Sequence, residues 1–128
     1  MEKLQRILLI DDDEITNFLN CELIVDLQLA HQVETMIDAR QALQLIEQQC
    51  PQYQCPDLVL LDLKMPIFDG FDFLHGFQTL PRDKVQKTRV VVLTTSSSPK
   101  DTQRLQKLGI DRLVNKPLTK EKMLELVA

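Results

Sequence analysis

The stretch LVLLDLKMP, residues 58–66, joins four consecutive apolar residues to an aspartate, Asp62, and then to a segment that contains a lysine and a proline. Four apolar residues are too few for a helix, and unbroken apolarity over this length is typical of a parallel strand covered on both faces. Asp62 therefore stands at the carboxyl end of a buried strand. Ligands of open parallel sheets bind at that edge, so a binding site is expected there.

Four further segments have the composition of strands. Residues 7–10 and 90–93 repeat the pattern of an unbroken apolar run between polar residues. Residues 31–37 alternate less cleanly and predict a more exposed strand, whereas residues 113–114 predict a short one. With the strand that ends at Asp62, five strands are predicted.

Helical patterns separate these strands. Apolar residues recur at spacings of three and four, and residues suited to helix capping mark several of the starts. Residues 50–56 and 81–87 are predicted to be loops. The five predicted helices begin after Asp13, Asp38, Gly70, Ser98 and Thr119.

The alternation of strands and helices predicts an α/β fold. Right-handed crossovers between parallel strands give a flavodoxin-like, doubly wound, five-stranded parallel sheet in the order 2-1-3-4-5, with five helices. The chain has 128 residues, which is enough for one core without metal or disulfide staples. Residues 1–128 are therefore predicted to form one domain.

Composition argues against several classes of protein. The formal net charge is −4 and Lys and Arg form no basic patch, which argues against a nucleic-acid surface. No apolar stretch reaches the roughly 18 residues that a membrane span needs, and the first residues do not form a signal peptide, so a cytoplasmic location is expected. Cys21, Cys50 and Cys55 are predicted to be reduced thiols, because a zinc site would need two more ligands nearby.

Carboxylates from distant parts of the chain are expected to meet at one edge of the sheet. Asp11 and Asp12 end the first strand, Asp62 ends the third, and the predicted strand order makes these strands neighbours. Charges about 5 Å apart repel by roughly 1 kcal/mol in water and by more at a half-buried site, so a cation must offset them. Mg2+ prefers such oxygen ligands, and the backbone carbonyl of Lys64 is a further candidate ligand.

A carboxylate beside a magnesium ion and an ammonium group can accept a phosphoryl group. The transferring group spreads its charge over its equatorial oxygens, so catalysis consists mostly of positioning and charge neutralisation. In this chain the metal would take one oxygen and Lys116 a second. The hydroxyl of Thr94, at the end of the fourth strand, could take the third.

Four motifs make this pattern specific, and together they resemble the receiver domain of two-component response regulators over essentially the whole chain. The motifs are ILLIDDD (7–13), LVLLDLKMPIFDG (58–70), VVVLTTSS (90–97) and NKPLT (115–119). The resemblance implies a phosphorelay protein in which Asp62 accepts a phosphoryl group from a histidine kinase or a histidine phosphotransfer protein and partner binding then switches. It implies a signalling domain rather than an enzyme, with only self-catalysed phosphorylation and dephosphorylation.

The resemblance also implies roles for individual residues. Asp11 and Asp12 hold Mg2+ together with Asp62, and Asp12 is the more direct ligand of the pair. Thr94 is the switch hydroxyl. Lys116 binds the phosphoryl group, and a cis peptide bond joins it to Pro117, where a proline at least permits that geometry.

The chain departs from the family at Leu113. Receivers commonly carry Tyr or Phe three residues before the lysine, and leucine offers neither a ring nor a hydroxyl. Lys64 and Ser96 occupy positions that influence the lifetime of the phosphoryl group in the family. A downstream protein is expected to bind the face formed by residues 99–127, and neither nucleic acid nor a membrane is an expected partner.

Two other functions remain open at this point. A phosphatase of the haloacid-dehalogenase kind uses an aspartate after its first strand and a second one two residues later, which residues 11–13 could imitate. Such enzymes need a cap over the substrate, and 128 residues leave no room for one. A receiver-like adaptor that is not phosphorylated would keep only the fold, but the acidic pair, Thr94 and Lys116 argue against it.

Overall fold

The computed structural model describes residues 3–50, 55–95 and 98–128. Five parallel strands form one sheet in the order β2-β1-β3-β4-β5. The predicted fold class and strand order are confirmed. The strands are β1 (Leu4–Ile10), β2 (Ala30–Met36), β3 (Leu58–Asp62), β4 (Arg89–Thr94) and β5 (Leu113–Asn115).

The described residues contain six helices rather than the predicted five. The additional helix, α4, lies within residues 81–87, which were expected to form a loop. It has only four residues, too few to show a helical period, and it is anchored by the buried side chain of Val85. None of the helices in these residues is long and apolar enough to cross a membrane. The helices are α1 (Glu14–Asp26), α2 (Ala39–Gln49), α3 (Gly70–Gln78), α4 (Arg82–Val85), α5 (Pro99–Lys107) and α6 (Lys120–Val127).

Apolar layers cover the sheet on both faces, which explains the unbroken apolar runs of the sequence. Along β1, Ile7 and Leu9 pack into one layer, and Leu8 and Ile10 pack into the other. All five residues of β3 are buried. Because close-packed interiors resist deformation, the carboxyl ends of β1 and β3 stand on a rigid support.

The helices start as the capping residues predict. The side chain of each predicted cap accepts a hydrogen bond from a backbone N–H group in the first turn. Asp69 caps α3, and its reciprocal bonds with Asp72 form a capping box. Gly109 follows α5 with a φ of 82°, the left-handed conformation that glycine adopts without steric cost. The predicted caps Asp13, Asp38 and Ser98 are confirmed, and Thr119 caps the helix that was predicted to start after it.

Helix α1 turns an unexpected face to the sheet. Its buried positions are two asparagines and Ile24. Five apolar residues predict the helix by their spacing. Ile15, Phe18 and Leu19 are 70%, 62% and 60% exposed. Leu23 and Leu27 are half-buried and pack against the core. The prediction of a helix is confirmed, but in its first half the apolar spacing does not mark the face that packs against the core.

Two of the three cysteines form a disulfide. Cys50 and Cys55 are bonded, with their Cα atoms 4.5 Å apart, and only Cys21 is a free cysteine among the described residues. The prediction of three thiols was therefore wrong for this pair. The sequence shows only a separation of five residues, whereas the fold brings the end of α2 beside the segment that leads into β3.

Candidate functional site

Three carboxylates meet at the carboxyl edge of the sheet. Asp11 follows β1 directly, Asp12 is the next residue, and Asp62 is the last residue of β3. One oxygen from each carboxylate lies within 4.8 Å of the others. Asp11 and Asp62 are buried, whereas Asp12 is exposed. Two acids thus lie inside the crevice and the third lies at its mouth.

Lys116 places a positive charge between the two buried acids. Its Nζ lies 2.6 Å from Oδ2 of Asp11 and 3.2 Å from Oδ1 of Asp62. Both acids raise the pKa of Lys116 in opposition to its burial, so the ammonium group stays charged. A single cation leaves the three carboxylates with a net negative charge of two, and the crevice can take a further cation.

The loop after β5 holds the lysine in place. The backbone N–H of Lys116 donates to the carbonyl of Thr94 over 2.7 Å, which ties it to the end of β4. The peptide bond between Lys116 and Pro117 is cis. Lys122 donates from its side chain to the carbonyls of Asn115, over 2.7 Å, and Pro117, over 3.0 Å. Thr94 is buried at the same edge of the sheet.

Asn17 supports the site and was missed in the sequence. Its side chain is 3% exposed, and its amide Nδ2 donates to the carbonyls of Asp11, over 2.9 Å, and Met36, over 3.2 Å. It therefore joins α1 to the ends of β1 and β2. Its Oδ1 is buried without a hydrogen-bond partner among the described residues. The available signal was an amide at the fourth position of a helix that follows acidic residues, which is too common to be diagnostic.

Gly70 supports the site from the other side. A Cβ atom at this position would lie 2.8 Å from the carbonyl oxygen of Asp62 and 2.8 Å from Cα of Leu63. Its N–H also donates to the carbonyl of Leu63 over 2.9 Å. The start of α3 thus packs directly on the backbone that carries Asp62, and only a residue without a side chain fits there.

The family model of the response regulator receiver domain matches residues 7–128. This chain belongs to that family. It is a receiver domain of two-component signalling, in which the acidic cluster is compatible with a phosphoacceptor site.

Two relatives resemble this receiver along most of their length. The probable chemotaxis protein CheY of Rhizobium etli is 30% identical over 118 residues, which cover 92% of this chain and 85% of the relative. The two-component response regulator ORR41 of Oryza sativa subsp. japonica is 28% identical over a match that covers 94% of this chain and 90% of the relative. By contrast, the receiver spans only 7% of hybrid signal transduction histidine kinase D of Dictyostelium discoideum.

Solved structures agree with this assignment. The crystal structure of a two component response regulator from Cytophaga hutchinsonii superposes with a TM-score of 0.87 at 26% identity. The match covers 98% of this receiver and 95% of that chain. The parallel sheet and its surrounding helices are therefore shared over nearly the whole length of both proteins.

The structure describes two of the three remaining predicted positions of the receiver. Lys64 is exposed two residues after Asp62. Leu113 is half-buried in β5 and packs against the apolar layer that contains Leu8 and Phe73, so no ring stands at that position. Ser96, one of the two positions linked to phosphoryl lifetime, lies outside the described residues.

The crevice perturbs the acid at its centre. Burial is the main cause that raises the pKa of Asp62 from its usual 3.8 to about 6, and the charge of Asp11 raises it as well. Lys116 opposes both effects. At neutral pH the carboxyl group is therefore still mostly ionised, but the ionised form is destabilised by its surroundings.

We expect the metal-free receiver to lose stability as the pH rises from about 4 to 6. The pKa of Asp62 is higher in the folded than in the unfolded chain, so its contribution is present below pH 4 and is lost as the folded group ionises. Asp62→Asn has no carboxyl group to ionise and therefore lacks this loss. Its free energy of unfolding, relative to that of wild type, should rise by about 2 kcal/mol between pH 4 and pH 7. Urea unfolding with EDTA at both pH values measures the difference.

The exposed acid Asp111, which precedes β5, provides the control for this measurement. Asp111→Asn should change the free energy of unfolding by less than about 0.5 kcal/mol, as is usual for substitutions at the surface. The difference in the free energy of unfolding between Asp62→Asn and wild type should grow with pH. If it does not, the expected destabilisation of the buried Asp62 carboxylate is wrong.

We expect Asn17→Ala to lower the free energy of unfolding by about 1–2 kcal/mol, because it leaves the buried carbonyl of Asp11 without this donor. Asn20→Ala, on the same buried face of α1, controls for the loss of a buried amide elsewhere on the helix. Denaturant unfolding of the two variants gives the comparison. Equal losses would show that the bond to Asp11 has no special weight.

Proposed function

We propose that this receiver accepts a phosphoryl group on Asp62 from a sensor histidine kinase or a histidine phosphotransfer protein. The observation that carries the proposal is the position of Asp62 between an acidic pair and a lysine. Its carboxylate lies in the group of oxygens within 4.8 Å of one another and 3.2 Å from the Lys116 ammonium. Such an arrangement suits a nucleophilic carboxylate whose reaction partner carries negative charge.

The donor set fits Mg2+. Three carboxylate oxygens within 4.8 Å of one another are the hard ligands that this ion prefers, and the single lysine does not balance their charge. We infer that Asp11, Asp12 and Asp62 hold the ion, with the backbone carbonyl of Lys64 as a further ligand. When bound, Mg2+ supplies charge neutralisation for the phosphoryl oxygens.

Side chains of the receiver supply the rest of the reaction. A carboxylate oxygen of Asp62 forms a bond to phosphorus while the N–P bond of the donor phosphohistidine breaks, and the bonding electron pair returns to the imidazole nitrogen. Lys116 neutralises charge on one phosphoryl oxygen, and the Thr94 hydroxyl donates to another. Attack of water on phosphorus later releases inorganic phosphate and restores the carboxylate, so the only turnover is that of the receiver's own phosphoryl group.

Phosphorylation would act as a switch by adding negative charge at the crevice. The group biases an equilibrium between two conformers, and a partner protein binds one of them more tightly. Because Leu113 has no ring, movement of Thr94 would be transmitted through aliphatic packing at β5. We infer that the downstream partner reads the face of residues 99–127, in the cytoplasm, and that neither nucleic acid nor a membrane is the partner.

Acetyl phosphate and Mg2+ test the proposal with the purified receiver. Intact-mass measurement should show an adduct of one phosphoryl group in wild type, and none in Asp62→Asn or with EDTA. If neither acetyl phosphate nor a protein donor modifies the wild type, the result would favour the adaptor function. Hydrolysis of a generic phosphate ester that is lost in Asp11→Asn and kept in Asp62→Asn would favour the phosphatase.

A further inference from the structure

Lys122 departs from the usual pattern of a helix start. It is the third residue of α6, and its N–H donates to Oγ1 of the capping residue Thr119 over 3.2 Å. A glutamate or glutamine at this position normally completes a capping box, and the helix dipole favours an acid in the first turn. A lysine is unfavourable on both counts. Residues that break a local rule are expected where function requires them, so Lys122 is a candidate for a second role.

The ammonium group of Lys122 bonds to the backbone on both sides of Lys116. Its Nζ donates to the carbonyl of Asn115 over 2.7 Å and to that of Pro117 over 3.0 Å. Among the described residues it pairs with no carboxylate. Hydrogen bonds from a charged donor are roughly twice as strong as neutral ones. The charge of Lys122 therefore stabilises the loop that carries Lys116.

Lys122 and β4 hold the two ends of one peptide group. The carbonyl of the peptide group between Asn115 and Lys116 accepts from Lys122, and its N–H donates to the carbonyl of Thr94 over 2.7 Å. Pro117, the next residue, has no N–H with which to add a further bond. The backbone at Lys116 is thus fixed between the last strand residue of β4 and the first turn of α6.

The anchored backbone determines where the Lys116 ammonium lies. Nζ of Lys116 is 2.6 Å from Oδ2 of Asp11 and 3.2 Å from Oδ1 of Asp62. A lysine side chain is long and flexible, so a fixed backbone reduces the conformational freedom that it must lose to reach both acids. A misplacement of about 1 Å in a reacting site can lower a rate about 100-fold. The anchor of Lys116 is therefore expected to affect the rate of the reaction.

We propose that Lys122 is a positioning residue for phosphoryl transfer, because it holds the loop of residues 115–117 so that Lys116 reaches the phosphoryl group. The inference rests on the proposed function of Asp62. Lys122 bonds to the backbone of the loop and not to the acids. Its effect on the rate must then pass through Lys116, and it should disappear when Lys116 is replaced.

Phosphorylation by acetyl phosphate, followed by intact mass, tests this dependence in two backgrounds. Lys122→Met keeps the side chain as far as Cε but removes the charge and the donors, and it should lower the rate about 10-fold in wild type. In Lys116→Gln the same substitution should change the rate by less than about 2-fold, because the positioned lysine is absent. Lys122→Arg keeps the charge and the donors, so its rate should stay within about 3-fold of wild type.

Lys120→Met is the matched control. Lys120 is exposed in the same turn of α6, and its substitution should leave the rate within about 2-fold of wild type. Hydrogen exchange of the Lys116 N–H, followed by NMR, gives a second measurement that does not need phosphorylation. The exchange should be about 10-fold faster in Lys122→Met than in wild type or Lys120→Met, because the peptide group has lost one of its two bonds.

Four results would overturn the positioning role. These are an unchanged rate in Lys122→Met, an equal fold-loss in wild type and Lys116→Gln, an equal loss in Lys120→Met, and unchanged exchange of the Lys116 N–H. A wild type that acetyl phosphate does not modify would instead overturn the proposed function. Hydrogen exchange would still report whether Lys122 holds the loop, so the two failures are distinguishable.

Discussion

Lys116→Gln is expected to lower the rate of phosphorylation by acetyl phosphate about 100-fold, as removal of one preorganised charge-stabilising donor typically does. The amide of glutamine can donate a hydrogen bond but carries no charge. Lys116 contacts both Asp11 and Asp62, so its loss leaves two buried acids to repel each other. The transferring phosphoryl group also loses a counter-charge.

The variant should change the pH dependence as well. Lys116 lowers the pKa of Asp62, so without it a larger fraction of that carboxyl group is protonated at neutral pH and cannot attack phosphorus. Rates measured by intact mass between about pH 6 and 9 should keep rising to a higher pH in Lys116→Gln than in wild type.

Lys120→Gln provides the control for loss of a lysine near the site. Lys120 is exposed at the start of α6, four residues after Lys116. Its substitution should leave the phosphorylation rate within about 2-fold of wild type, as is usual for exposed charges. A Lys116→Gln receiver that is phosphorylated as fast as this control would show that the lysine has only a structural role.

Gly70→Ala is expected to lower the free energy of unfolding by about 3 kcal/mol, at the upper end of the cost of overpacking. The added Cβ would lie 2.8 Å from two backbone atoms, the carbonyl oxygen of Asp62 and Cα of Leu63. Backbone in a buried strand cannot move aside as a flexible side chain can. Relief of the clash must shift either α3 or the residue that carries the acceptor carboxylate, so phosphorylation should slow as well.

The other two glycines make the comparison specific. At Gly76 an added Cβ would meet only the end of the Leu43 side chain, and alanine is a better helix former, so Gly76→Ala should change stability by less than about 1 kcal/mol. At Gly109 the space is open but φ is 82°, so Gly109→Ala should cost about 1 kcal/mol. Denaturant unfolding that fails to rank Gly70 as the costliest of the three would contradict the tight contact.

The site itself was largely predictable because its residues follow short apolar runs. Asp11, Asp62 and Thr94 each stand where such a run ends, and parallel strands carry their carboxyl ends to one edge of the sheet. The caps of the helices were predictable for a similar reason, since each depends on a single side chain and the turn next to it. Local chemistry was sufficient in both cases.

The supporting contacts were not predictable from local patterns. Asn17 and Gly70 act on Asp11 and Asp62 through backbone atoms that only the folded chain brings near them. The short helix α4 has too few residues to show a helical period, and the disulfide between Cys50 and Cys55 depends on how the chain returns from α2 to the sheet. Each of these features depends on contacts between different segments of the chain.

The sequence by itself determined the positions of the strands, the starts of the capped helices and the acids that follow the strands, because period, capping and strand ends are local properties of the chain. Only the tertiary structure decided which face of α1 meets the sheet. Ile24 is buried while Phe18 is exposed, since Asp13 caps the helix and Asn17 bonds to the strand ends, and together these contacts fix its rotation. An apolar period shows that a helix exists, but long-range contacts select the face that it buries.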